Sequence, residues 1–328
     1  MNSYYVDPGY DLQQSEKRQI RKTTNILAAA FLAMTFIMTL WSYPVVEFAK
    51  RMGFYEVLVQ TAKDTSLLNV LQILISVLAF VPVYFLFGKI LKVPFGKALS
   101  LKSETNFKQN LGLVLVGAGF CGFANFASGV AGSIFESMGF SYSANIHHPN
   151  PSNPFGIALV VLATAVTPAV IEEFALRGVV LGALKPFGKG FAVIISAVLF
   201  GLLHGNLEQI PFAFLVGLYL GFITVKTGSI VPAVVLHFYN NLSSVVFSFI
   251  TDGANATLSQ FLYLFYLLIM LVFGVIGLFV LRKEDNTFFS VEKDGVLPFK
   301  TKILTALFSP VMFVVYLVVI WEAFFVYI

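Results

Sequence analysis

Apolar runs recur along this chain, several of them longer than the ~20 residues a helix needs to cross the hydrocarbon of a bilayer. That leaves few architectures. Inside lipid every backbone N–H and C=O needs a partner within the protein, so spanning segments are helices or closed barrels. A barrel would show short alternating strands, and these runs do not alternate. Of the 328 residues, 58% are hydrophobic and 12% charged, against about 25% charged in a soluble domain. The sequence predicts an all-α, polytopic helical membrane protein.

The runs fall near residues 25–46, 67–87, 111–135, 156–184, 191–204, 210–225, 230–250, 258–281 and 303–325, about nine transmembrane helices. Eight remain if two short central runs are re-entrant. Residues 1–24 are polar and read as a solvated cytoplasmic tail. Residues 25–155 hold about three helices, 156–250 a core of about four, and 251–328 about two. With the N-terminus in the cytoplasm, 17 of the 21 Lys and Arg lie on inner segments and three on outer ones, Arg177 being buried. The positive-inside rule therefore sets the N-terminus inside and the C-terminus outside.

A net charge of +4 is this orientation signal and no argument for nucleic acid. Cys121 is the single cysteine, which excludes an intrachain disulfide and any multi-cysteine metal site. The third run is dotted with glycines, which let membrane helices approach closely, and is expected to be central. His147 and His148 fall in a polar loop and read as surface. Glu322, at the far end of the last run beside Trp321, reads as interfacial.

The informative residues are polar groups inside apolar runs. Charged side chains at that depth are costly, face a protein interior and mark function. The fourth run carries Glu172, Glu173 and Arg177, with Pro168 one turn earlier to kink the helix. Glu173 and Arg177 are four apart, share a face and form a favourable pair. Glu172 points elsewhere and is left locally unpaired. The fifth run ends in Phe200 and His204, and the seventh carries His237 and Asn241 on one face. At about 1.5 Å per residue these groups reach similar depths.

A carboxylate and a histidine across a cavity can activate water, the carboxylate taking the proton. A second histidine and an amide can donate to a developing oxyanion. This inventory suits amide hydrolysis, with Glu172 chemical and the Glu173–Arg177 ion pair structural. The sequence lacks His-Glu-x-x-His. Glu172, His204, His237 and Asn241 are the available ligands if Zn2+ binds, but Asn is a poor zinc ligand. The balance leans to metal-independent chemistry, with zinc kept open.

Glu172-Glu173-x-x-x-Arg177, Phe200-x-x-x-His204 and His237-x-x-x-Asn241, in that order, resemble the CPBP family (CAAX protease and bacteriocin-processing, also called Abi), which includes the type II CAAX prenyl endopeptidases. The resemblance covers about residues 156–250. It implies a membrane-embedded endopeptidase with Glu172 as catalytic base, His204 helping to hold the water, and His237 and Asn241 stabilising the oxyanion or binding a metal. It implies a peptide or membrane-protein substrate, of bacteriocin, immunity or CAAX-like type, in a lipid bilayer. The compact chain without an organelle signal reads as bacterial, which gives a bacterial cytoplasmic membrane and favours an unprenylated substrate. The basic cytoplasmic loops favour substrate entry from the membrane or that side, with an acidic flank on the substrate. Buried Glu and His also carry ions in transporters, and a non-catalytic immunity or scaffold protein could use the same cavity.

Overall fold

The computed structural model describes residues 8–53, 65–139, 151, 153–282 and 295–326. His147 and His148 lie outside the described residues. Among those described there is no strand. The helices are α1 (Pro8–Arg51), α2 (Thr65–Ile90), α3 (Phe107–Ser137), α4 (Pro154–Phe187), α5 (Lys189–Leu203), α6 (Gln209–Thr227), α7 (Val231–Thr251), α8 (Ala256–Leu281), α9 (Phe299–Leu307) and α10 (Pro310–Trp321). A π-helical turn, Glu322–Val326, continues α10.

The chain is a polytopic helical membrane protein. Among the described residues seven helices are long and apolar enough to span, and α9 with α10, bent by 60°, makes an eighth if counted as one span. The remaining expected segment is α5. Its 15 residues reach only about 22 Å, short of a ~30 Å hydrocarbon core. It folds back against α6 as a tight helical hairpin.

Local chemistry sets the helix ends. Asn106 and Gln109 form a reciprocal capping box at the start of α3, satisfying two donors that the first turn leaves open. Asn255 caps α8 by accepting from the Leu258 N–H. Gly228, at φ 65°, ends α6, a left-handed position that suits glycine. Beside it the Glu104 N–H donates to the Thr227 carbonyl, and the Ile230 N–H to the Ser100 carbonyl. The α6–α7 turn is thus tied to the segment before α3.

The glycines of α3 serve close packing, but the helix bridges rather than centres the bundle. One side meets α8, where a Cβ on Gly119 would stand 2.7 Å from the Gly274 Cα. Another side meets α6 and α7, and Phe123 and Phe126 face outward. The outer face of α8 is apolar, with Phe261, Leu264, Leu268 and Leu271 exposed. Such a face suits lipid rather than water.

The polar tail is not a free segment. Residues 8–24 extend α1 without a break, and Ile20 and Thr24 are buried. Glu16 accepts from the N–H groups of Val296 and Leu297 and pairs with buried Lys302 at 3.1 Å. Lys302 also donates to the Phe187 carbonyl. A partner 280 residues away in sequence leaves no local signal, which is why the segment reads as solvated.

Candidate active site

Helix α4 carries two π-helical stretches, Leu162–Val166 and Phe174–Val180. Between them lies the α-helical Thr167–Glu173 with both glutamates. Pro168 cannot donate to the preceding turn, and the wider π winding just before it absorbs the mismatch. Wide turns of this kind re-aim side chains and occur often at functional sites.

Glu173 and Arg177 are fully buried and paired at 2.9 Å. The guanidinium also donates to the Gly217 carbonyl of α6 at 3.2 Å. It lies 4.5 Å from the ring centroid of Phe200 on α5, within cation–π range. Arg177 therefore ties α4 to both arms of the α5–α6 hairpin.

Glu173 has a second task. The same Oε1 that Arg177 holds lies 2.9 Å from Nδ1 of His237 on α7. An ionised carboxylate only accepts, so Nδ1 is the protonated nitrogen and Nε2 is directed to the other side of the ring. There Nε2 stands 3.9 Å from Oε2 of Glu172. That is too far for a hydrogen bond, and a separation a bridging water can fill. Among the described residues Glu172 Oε2 is buried without a hydrogen-bond partner.

His204 follows the last residue of α5. Its Nδ1 lies 2.9 Å from the Phe200 carbonyl, which fixes Nδ1 as donor and leaves Nε2 as the free face. The Phe200 ring meets His204 and His237 edge-on, with centroids 5.1 and 5.5 Å away. It packs against both imidazoles. Asn206 turns the chain by accepting from the Gln209 N–H at 2.7 Å. On α7, Asn241 accepts from the Asn240 amide at 3.2 Å.

Sequence reasoning paired His204 with Glu172 and His237 with Asn241. The structure puts His237 3.9 Å from Glu172 and bonds it to Glu173, so the Glu173–Arg177 ion pair also touches an imidazole. His204 reaches the cluster through Phe200, and Leu203 and Gly205 on either side of it line a cavity with Glu172. This cavity of about 420 Å3 also takes walls from α1, α2 and the end of α10, including Gln72, Ser76, Trp321 and Glu322. Glu322 is therefore a cavity residue, not merely an interfacial one. Gln72 and Ser76 were missed, although two polar residues four apart in an otherwise apolar run were a signal.

The cavity lies toward the end of the bundle away from the basic one. Thr35 on its wall is 19 residues along α1 from Glu16, about 28 Å by helix rise. The sequence reads two routes, entry from the membrane or from the cytoplasmic side; this placement leaves the basic loops distant from the cavity.

No group of three or more His, Cys, Asp or Glu among the described residues is arranged to hold an ion. His237 commits Nδ1 to Glu173 and His204 commits Nδ1 to a backbone carbonyl, which leaves Nε2 of each ring free, as it is in histidines that bind metal.

Residues 154–243 match the family described as type II CAAX prenyl endopeptidase Rce1-like, in agreement with the resemblance read from the sequence. The chain is also 26% identical, over 143 residues, to YdiL of Bacillus subtilis (strain 168), provisionally described as a membrane peptidase. That alignment takes in 42% of this chain and 58% of YdiL, so the chain spans a little over half the length of this curated relative. No solved structure matches.

Proposed function

We propose that this protein is a membrane-embedded endopeptidase that hydrolyses a peptide bond with a water activated by Glu172. The observation that carries the reading is the contrast between two adjacent carboxylates. Glu173 is fully buried and bound through Oε1 by Arg177 and His237, whereas Glu172 is the one of the two that lines a cavity; Oε2 of each is buried without a hydrogen-bond partner among the described residues. The match to an endopeptidase family over this segment supports it.

In this reading a water sits between Glu172 Oε2 and His237 Nε2 and attacks the substrate carbonyl. Glu172 takes the water's proton and returns it to the departing amine. Glu173 holds His237 in one tautomer and orientation, a task a buried carboxylate does well. His204 and the Asn241 amide stabilise the oxyanion. Because no three His, Cys, Asp or Glu gather among the described residues, the steps are written through the protein's own groups.

The substrate is a peptide or membrane protein in a bacterial cytoplasmic membrane. Residues 156–250 form the catalytic core, with α1, α2 and the C-terminal turn completing the cavity. Incubating purified protein in detergent with a peptide library and reading new termini by mass spectrometry tests the reading. New termini made by wild type and not by Glu172→Gln are expected. Ion flux in vesicles without cleavage would favour a transporter instead, and neither activity would favour a non-catalytic scaffold.

A further inference from the structure

Glu322 is the acidic residue that the proposed chemistry leaves unused, and it lines the same cavity as Glu172. The two approach from different elements, Glu322 from the π-helical turn after α10 and Glu172 from α4. The other polar lining groups include Thr35, Thr39, Gln72 and Ser76, all neutral, and no Lys, Arg or His is among the lining residues described. The cation closest to Glu172 in sequence, Arg177, is fully buried behind it and engaged by Glu173, Gly217 and Phe200.

A carboxylate on a cavity wall that carries no cation favours a ligand of opposite charge. Next to Glu322 the cavity wall is Trp321, and an indole face attracts ammonium and guanidinium groups.

We propose that Glu322, with Trp321, is a specificity determinant that receives a lysine or arginine side chain of the substrate close to the scissile bond. This rests on the endopeptidase reading. The basic loops lie at the other end of the bundle, so an acidic flank there and a basic residue here are compatible. An anionic side chain placed in the cavity would meet two carboxylates and is disfavoured.

The test uses full-length protein in detergent and peptides with both termini blocked, so that a terminal ammonium cannot stand in for the side chain. The peptides differ only in Lys, Ala or Glu near the cleavage point. Wild type is expected to prefer Lys over Glu in kcat/KM by about tenfold or more, the scale of one hydrogen bond to a charged group. Glu322→Gln should flatten that ratio and Glu322→Lys should invert it, with thermal unfolding followed to check that each variant is folded. An unchanged Lys-to-Glu ratio in folded Glu322→Gln overturns the proposal. If wild type cleaves nothing, the endopeptidase reading fails, and peptide binding still decides this inference. Glu172→Gln should then bind the Lys peptide more tightly than Glu172→Gln/Glu322→Gln does, and equal binding overturns it.

Discussion

Oε1 of Glu173 lies 2.9 Å from Nδ1 of His237 and 2.9 Å from a guanidinium nitrogen of Arg177. One oxygen thus joins the ion pair of α4 to the imidazole of α7, and the other nitrogen of that imidazole faces Glu172. Two neighbouring glutamates acquire different duties because one is neutralised and the other is not. Glu172→Gln and Glu172→Ala should abolish hydrolysis while leaving a folded protein. Cleavage assays paired with thermal unfolding check this, and cleavage retained by either variant removes Glu172 from the role of base.

Arg177→Ala should harm folding first. The variant leaves Glu173 buried, with His237 as its remaining hydrogen-bond partner, and removes the ties to Gly217 and Phe200. Breaking a buried pair in this way typically costs about 3–5 kcal/mol. A variant as thermostable as wild type but inactive would instead place Arg177 in the chemistry.

Helix packing gives a prediction away from the site. A methyl on Gly119 would sit 2.7 Å from the Gly274 backbone of α8, where no side-chain rotation can relieve it. Gly119→Ala should therefore cost about 1–3 kcal/mol, the usual effect of overpacking, measured as a lower unfolding midpoint in detergent. An unchanged midpoint would mean that α3 and α8 pack less closely than described.

What could be read from the sequence follows from how local each relationship is. The Glu173–Arg177 pair needs only helical spacing, and helix rise alone brings three runs to a common depth. Rotation about each helix axis is not legible in that way. His237 shares a face with Asn241, yet its ring turns to Glu173, 64 positions back along the chain. Glu322 reads as an interface residue because it closes the last apolar run. The 60° bend between α9 and α10 and the π-helical turn after it bring it to the cavity. The family match adds weight over residues 154–243, while the helices that complete the cavity, α1, α2 and α10, lie outside that match.

The last prediction separates the two histidines. His237 is oriented by Glu173, so Glu173→Gln should weaken catalysis through His237, and the two positions should behave as one unit. The double variant Glu173→Gln/His237→Ala is then expected to be little worse than His237→Ala alone, since effects within a unit are far from additive. His204 has no bond to Glu173 among the described contacts and is held by the Phe200 carbonyl. Its loss should therefore add to that of Glu173. Asn241→Ala should cost about 10²–10³-fold in kcat, the usual effect of removing one oxyanion donor. Single-turnover cleavage by the purified variants, compared as ratios, supplies all of these values. Full additivity of Glu173→Gln with His237→Ala would show that the 2.9 Å contact between them does not direct the imidazole during catalysis. Stoichiometric zinc in the active protein, lost in the His204→Ala and His237→Ala variants, would replace this division of labour with a shared metal while leaving the peptidase reading in place.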